Sequence, residues 1–120
     1  MSQVLFGDDV RFKNGVVYPV SNASTTPYNI SNTSGPNGGN EYAVVVTNSS
    51  AFIVNLPSDT NGLENGRKYE IIAGTGDTAP NITIDGGPHT INGSETVTIT
   101  QARNTLTLMF TNATSEWHII

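Results

Sequence analysis

From residue 42 onward the chain alternates apolar and polar residues with a period of two, the signature of strands with one buried face. In Ala51 to Leu56, Phe52, Val54 and Leu56 share one side. Lys68 to Ala73 does the same with Tyr69, Ile71 and Ala73. So does the segment around Ile82 and Ile84, opposite Thr83 and Asp85. Thr90 to Asn92 is centred on Ile91, and Glu95 to Thr100 sets Val97 and Ile99 against three threonines. Thr105 to Thr111 collects Leu106, Leu108 and Phe110, and Glu116 to Ile120 pairs Trp117 with Ile119. No stretch of helix formers with a 3.6-residue period persists for three turns. The pattern predicts an all-β fold, an antiparallel β-sandwich with a jelly-roll-like arrangement. Its core anchors are Trp117, Phe110 and Tyr69.

Turn chemistry refines this picture. Val10 to Lys13 and Val16 to Val20 flank Asn14-Gly15, a strong hairpin signal, and Pro19 confines the second strand to an edge or ends it. Tyr42 to Thr47 and Ala51 to Leu56 read as a second hairpin over Asn48-Ser49-Ser50. The run from Ser21 to Asn40 is rich in Ser, Thr, Asn, Gly and Pro, and reads as a long loop or extended arm. Two regions follow: an N-terminal hairpin and polar arm over residues 1–40, and a β-sandwich module over residues 41–120.

Composition narrows the function classes. The net charge is −5, with five Lys and Arg in all. Such scattered cations do not form the basic stripe that nucleic acid requires, and the sign disfavours an anionic membrane surface. With no cysteine there is no disulfide, zinc-thiolate site or thiol nucleophile. Apolar runs are short, and the opening MSQVLFGDDVRF lacks the pattern of a signal peptide. Seven Asn-x-Ser/Thr triplets follow from the Asn, Ser and Thr content rather than marking a glycoprotein.

The best candidate for chemistry is Asp85-Gly86-Gly87-Pro88-His89. Acid–base work or metal binding needs a third convergent group, and the other histidine, His118, alternates to the face opposite Trp117. Asp-Gly-Gly-Pro is also a strong turn sequence, so a turn is expected here. Gly74-Thr75-Gly76-Asp77 lacks the Lys and helix of a phosphate loop. Asp8, Asp9, Asp77 and Asp85 lack the spacing of a calcium loop. No catalytic residue, metal site or cofactor is expected; the product of the sequence is a surface. Val16-Val17, Val44-Val45-Val46 and Ile119-Ile120 put β-branched side chains on both faces of their strands, as expected where the second face meets another subunit.

A resemblance adds to this reading. Val54-Asn55-Leu56-Pro57, Gly66-Arg67-Lys68-Tyr69-Glu70-Ile71, Asn81-Ile82-Thr83-Ile84, Thr90-Ile91-Asn92-Gly93, Thr105-Leu106-Thr107-Leu108 and Trp117-His118-Ile119-Ile120 recur in that order. Together they resemble a β-rich module of tailed-phage virion proteins. It occurs in tail fibres, head fibres and capsid decoration (cement) proteins. The likeness spans Ala51 to Ile120; the first 50 residues match nothing comparable. It implies a non-enzymatic virion protein, typically trimeric, located on the capsid surface after synthesis in the host cytoplasm. The short chain favours a decoration protein that binds the major capsid protein; the alternative is the receptor-binding tip of a tail fibre. Expected capsid or subunit contacts are Leu5, Phe6, Arg11, Phe12, Lys13, Val16 and Val17. In that set Leu5 and Phe6 are apolar anchors, and Arg11 and Lys13 are partners for capsid carboxylates.

Overall fold

The computed structural model describes residues 18–30, 42–48, 50–57, 63, 65–74 and 80–120. Among the described residues ten strands follow one another: β1 (Val20–Ala23), β2 (Tyr28–Asn29), β3 (Ala43–Val46), β4 (Ala51–Asn55), β5 (Lys68–Ala73), β6 (Asn81–Asp85), β7 (Thr90–Ile91), β8 (Thr96–Ile99), β9 (Thr105–Thr111) and β10 (Glu116–Ile119). No described residue is helical. One sheet has the order β1-β3-β5-β9-β10-β7 and the other β2-β4-β6-β8.

The fold is all-β, but the expected antiparallel arrangement is corrected. The pairings β1–β3, β3–β5, β2–β4, β4–β6 and β7–β10 are parallel, whereas β5–β9, β6–β8 and β9–β10 are antiparallel. Through β6 the chain alternates between the two sheets, so β1–β2, β3–β4 and β5–β6 are three coils stacked in register. Val20, Ala43 and Glu70 line up in one sheet, and Tyr28, Val54 and Ile84 in the other. The predicted hairpin over Asn48-Ser49-Ser50 therefore does not exist: β3 and β4 lie in different sheets. A tight hairpin turn needs residues with positive φ, such as Asn-Gly. Here the Asn48 side chain instead accepts a hydrogen bond from the Ser50 amide (2.9 Å), and the chain crosses over.

The polar run expected as loop or arm also contributes structure. It carries β2 and most of β1, and these pair with β3 and β4 across the division expected after residue 40. Ala23 and Ile30 enter the core. The run reads as loop because it has few apolar residues; parallel stacking requires only that the right positions be apolar. Pro19 sits just before edge strand β1, and its carbonyl accepts the amides of Tyr42 and Ala43 (2.9 and 3.1 Å). The expected hairpin at Asn14-Gly15 lies outside the described residues.

The core between the sheets holds no buried polar or charged residue among those described. Val44, Ile71 and Leu108 come from one sheet and Phe52, Val54, Ile82 and Ile84 from the other. Tyr69, Phe110 and Trp117 form its aromatic corner. Trp117 is fully buried, with ring centroids 5.4 Å from Phe110 and 5.7 Å from Tyr69. The register explains the cluster: Trp117 is opposite Phe110, and Ile91 is opposite Trp117 on the other flank.

Trp117→Ala should therefore cost about 3–5 kcal/mol, read by urea denaturation. Trp117→Phe should cost clearly less, because it keeps the aromatic contact and removes a buried Nε1–H that has no hydrogen-bond partner. A native fluorescence maximum like that of indole in water would contradict this burial.

Candidate functional surface

The Asp85-to-His89 segment is a turn between β6 and β7. Asp85 Oδ1 accepts the Gly87 amide (2.8 Å), and the Gly86 carbonyl accepts the His89 amide (3.2 Å). Gly86 is required for steric reasons: a Cβ there would sit 2.1 Å from the His89 carbonyl oxygen. The His89 ring lies edge-on to Phe110 (4.9 Å), and its Nδ1 is 3.1 Å from the Ser115 carbonyl oxygen. The pair expected as the best chemical candidate thus serves a corner: Asp85 shapes the turn and His89 fastens it to the β9–β10 turn. No group of three or more His, Cys, Asp or Glu that could hold a metal ion occurs among the described residues.

Asp85 also ends a polar ladder. Asn29, Asn55 and Asp85 occupy matched positions at the ends of β2, β4 and β6, and Asn55 Nδ2 donates to Asn29 Oδ1 (2.8 Å). Such ladders arise because parallel register stacks corresponding side chains, a placement that period-two alternation alone does not reveal.

A second polar group escaped the sequence reading. His118 lies outside the core on β10. Its Nε2 is 3.0 Å from both Thr111 Oγ1 and Thr114 Oγ1, and its Nδ1 is 3.9 Å from Glu116 Oε1. The order carboxylate, imidazole, hydroxyl is that of a nucleophile relay. However, the carboxylate contact exceeds hydrogen-bond length, and Glu116 is committed elsewhere. Glu116 Oε2 accepts from Thr90 Oγ1 (2.6 Å) and from the Gly93 amide (3.1 Å), binding β7 to β10. The two threonine hydroxyls meet at 2.6 Å across the β9–β10 turn, in which Ser115 has φ 51°. The group holds a turn and a parallel edge. Only the Glu116/His118 alternation was visible in the sequence; the threonines arrive through the turn.

The outer faces differ. That of the β2-β4-β6-β8 sheet is mainly Thr and Asn, with Thr83 opposite Thr98 and with Ile53 exposed. The outer face of the β1-β3-β5 sheet is more apolar. Val44 and Val46 point inward and are fully buried, so Val45 faces out, directly opposite Ile72 and diagonal to exposed Val20. Ile119 and Ile120 are exposed at the chain end. The double-faced valine run thus places half-buried Val45 beside half-buried Ile72 on the outer face, with polar Asn22 directly opposite Val45 on β1 and exposed Val20 diagonal to it. Leu5, Phe6, Arg11, Phe12, Lys13, Val16 and Val17 lie outside the described residues. At the strand-start rim of the same sheet, Tyr18 stacks on Tyr42, with centroids 4.5 Å apart and planes at 27°.

Neither family models nor curated proteins match this sequence.

Two outcomes follow from the corner and the relay-like group. Gly86→Ala should destabilise by about 1–3 kcal/mol through the clash with the His89 carbonyl, whereas Asp85→Ala should cost under about 1 kcal/mol; thermal melts of the two variants compare them. Wild-type protein and Thr114→Ala should hydrolyse p-nitrophenyl acetate at the same rate, since an isolated imidazole reacts without a relay. A rate that falls with Thr114→Ala would instead give the Thr114–His118–Glu116 group a catalytic role.

Proposed function

We propose that the chain is a non-enzymatic structural protein of a phage virion, a homotrimeric capsid decoration protein that binds the major capsid protein. The observation that carries this reading is the outward-facing, half-buried Val45–Ile72 pair on the β1-β3-β5 sheet, with exposed Val20 diagonal to it. A single small domain gains little by leaving β-branched side chains on a sheet's solvent face, whereas a subunit contact buries them. The polar stacked coils and the order of motifs from Ala51 to Ile120 support the same reading. A protein that binds only the assembled shell stabilises it by mass action. The exposed Tyr18–Tyr42 stack favours a second reading, a receptor-binding tip of a tail fibre.

Light scattering coupled to size-exclusion chromatography should give a trimer for the full chain. Val45→Glu with Ile72→Glu should give a monomer that retains its far-UV circular dichroism. A folded monomer of the unaltered chain at micromolar concentration would sink the oligomer. Deleting residues 1–17, which lie before β1, should leave a folded protein that no longer binds undecorated capsids. Normal capsid binding by this truncation would move the docking face onto the sheets. Hundreds of copies per virion fit decoration; a few copies fit a fibre tip.

A further inference from the structure

Among the described residues, β1 and β7 form the edges of one sheet, and β2 and β8 those of the other. An open edge offers unpaired amides and carbonyls to any further strand, and proteins guard against this with proline, lysine or brevity. Three of these edges are guarded. Pro19 directly precedes β1, β2 is two residues long and follows Pro27, and β7 is two residues long. Strand β8 has no such guard. It reads Thr96-Val97-Thr98-Ile99, β-branched at every position, and no charged residue or proline occurs from Thr96 to Ala102.

The ladder to β6 fixes which groups β8 leaves open. The Gly86 amide donates to the Glu95 carbonyl (3.1 Å). Hydrogen-bonded pairs alternate along an antiparallel ladder, so Val97 and Ile99 bond to Ile84 and Ile82. Thr96 and Thr98 therefore aim their amides and carbonyls away from β6, as does Thr100 just beyond the strand. All three threonines are exposed, while Ile99 is buried. Charge lies at the two ends: Glu95 immediately before β8, and Arg103 in the turn that follows it, at φ 64°. Both of these residues are exposed.

We propose that β8 pairs antiparallel with β8 of a second copy of this chain, about a two-fold axis at Ile99. Thr98 of each copy then exchanges backbone hydrogen bonds with Thr100 of the other, and the two β2-β4-β6-β8 sheets join into one. Cross-strand threonine pairs are favourable in this setting. The charged ends select the partner and its direction. Antiparallel self-pairing brings Glu95 of each copy to Arg103 of the other, whereas parallel self-pairing sets Glu95 beside Glu95. A contact of one short strand buries far less than a stable interface needs. It therefore forms at high local concentration, where copies are already held side by side. It uses the sheet opposite Val45 and Ile72, so it rests on neither the trimer nor the capsid reading; where trimers form, it links one to the next.

Sedimentation equilibrium of the full chain from about 10 μM to about 1 mM tests this, with a Kd of about 1 mM expected. The average mass should rise at least about 1.5-fold over that range, as half-occupied pairing requires. The Thr98 and Thr100 amides should exchange with solvent about twofold more slowly at the upper concentration, while those of β1 stay unchanged. Thr98→Lys should hold the mass at its low-concentration value with unaltered circular dichroism. Glu95→Lys should reduce the rise, and Glu95→Lys combined with Arg103→Glu should restore it. The Val45→Glu, Ile72→Glu variant should keep a rise of its own, so failure of the trimer alters only the mass at low concentration. The proposal is overturned if the unaltered chain keeps one mass throughout, or if Thr98→Lys associates like the wild type. It is likewise overturned if the charge swap restores nothing, or if exchange slows at β1 and not at β8.

Discussion

Parallel, in-register stacking requires each position of a coil to suit the position above it. A side chain buried at one level lies over a side chain buried at the next. Here Val44 lies beside Ile71, Phe52 beside Ile82, and Ala23, Val46 and Ala73 form a narrow row. The outer positions obey the same rule with polar groups, in the Asn29–Asn55–Asp85 ladder. The Tyr18/Tyr42 rim, the outward Val45–Ile72 pair and the ladder are three results of this one alignment. The antiparallel strands β8, β9 and β10 then join the coils to the corner that holds Trp117.

The corner shows how polar side chains are used where stacking stops. β7 is two residues long and pairs parallel with β10 over two positions. Such a short parallel edge needs more than its ladder. Glu116 bridges Thr90 and the Gly93 amide, Asn92 at φ 48° accepts the Ile119 amide (3.1 Å), and the Trp117 carbonyl accepts the Asn92 amide (2.9 Å). Asn tolerates the left-handed region better than most residues, which explains its place in this turn. The polar groups here knit strand ends together on the surface, while the interior remains apolar.

Much of the strand content was legible. Lys68–Ala73 and Thr105–Thr111 appear with the expected bounds, and β4, β6, β8 and β10 lie within a residue or two of them. Alternation reports which face is buried, and it did so for Phe52, Val54, Ile82, Ile84, Leu108 and Trp117. It does not report the partner strand's direction, because a period of two is common to parallel and antiparallel ladders. That is why β3 and β4 looked like a hairpin. β1 and β2 were illegible for another reason: Val-Ser-Asn-Ala and Tyr-Asn owe their strand state to pairing with β3 and β4, not to their own pattern. The same gap hid the aromatic rim, since Tyr18 and Tyr42 are neighbours only once the coils are parallel.

The coil is also a unit of length. β1 and β2 occupy corresponding edges of the two sheets, and each meets the next coil through the same kind of parallel ladder. Duplicating or losing one coil would change the height by about 4.8 Å, one strand spacing, and would preserve the interface chemistry of every remaining level. In such an architecture the reach of the tyrosine-bearing rim above the Trp117 corner can be altered in discrete steps. Gene-level tandem duplication could therefore vary the height of the protein without redesigning its core.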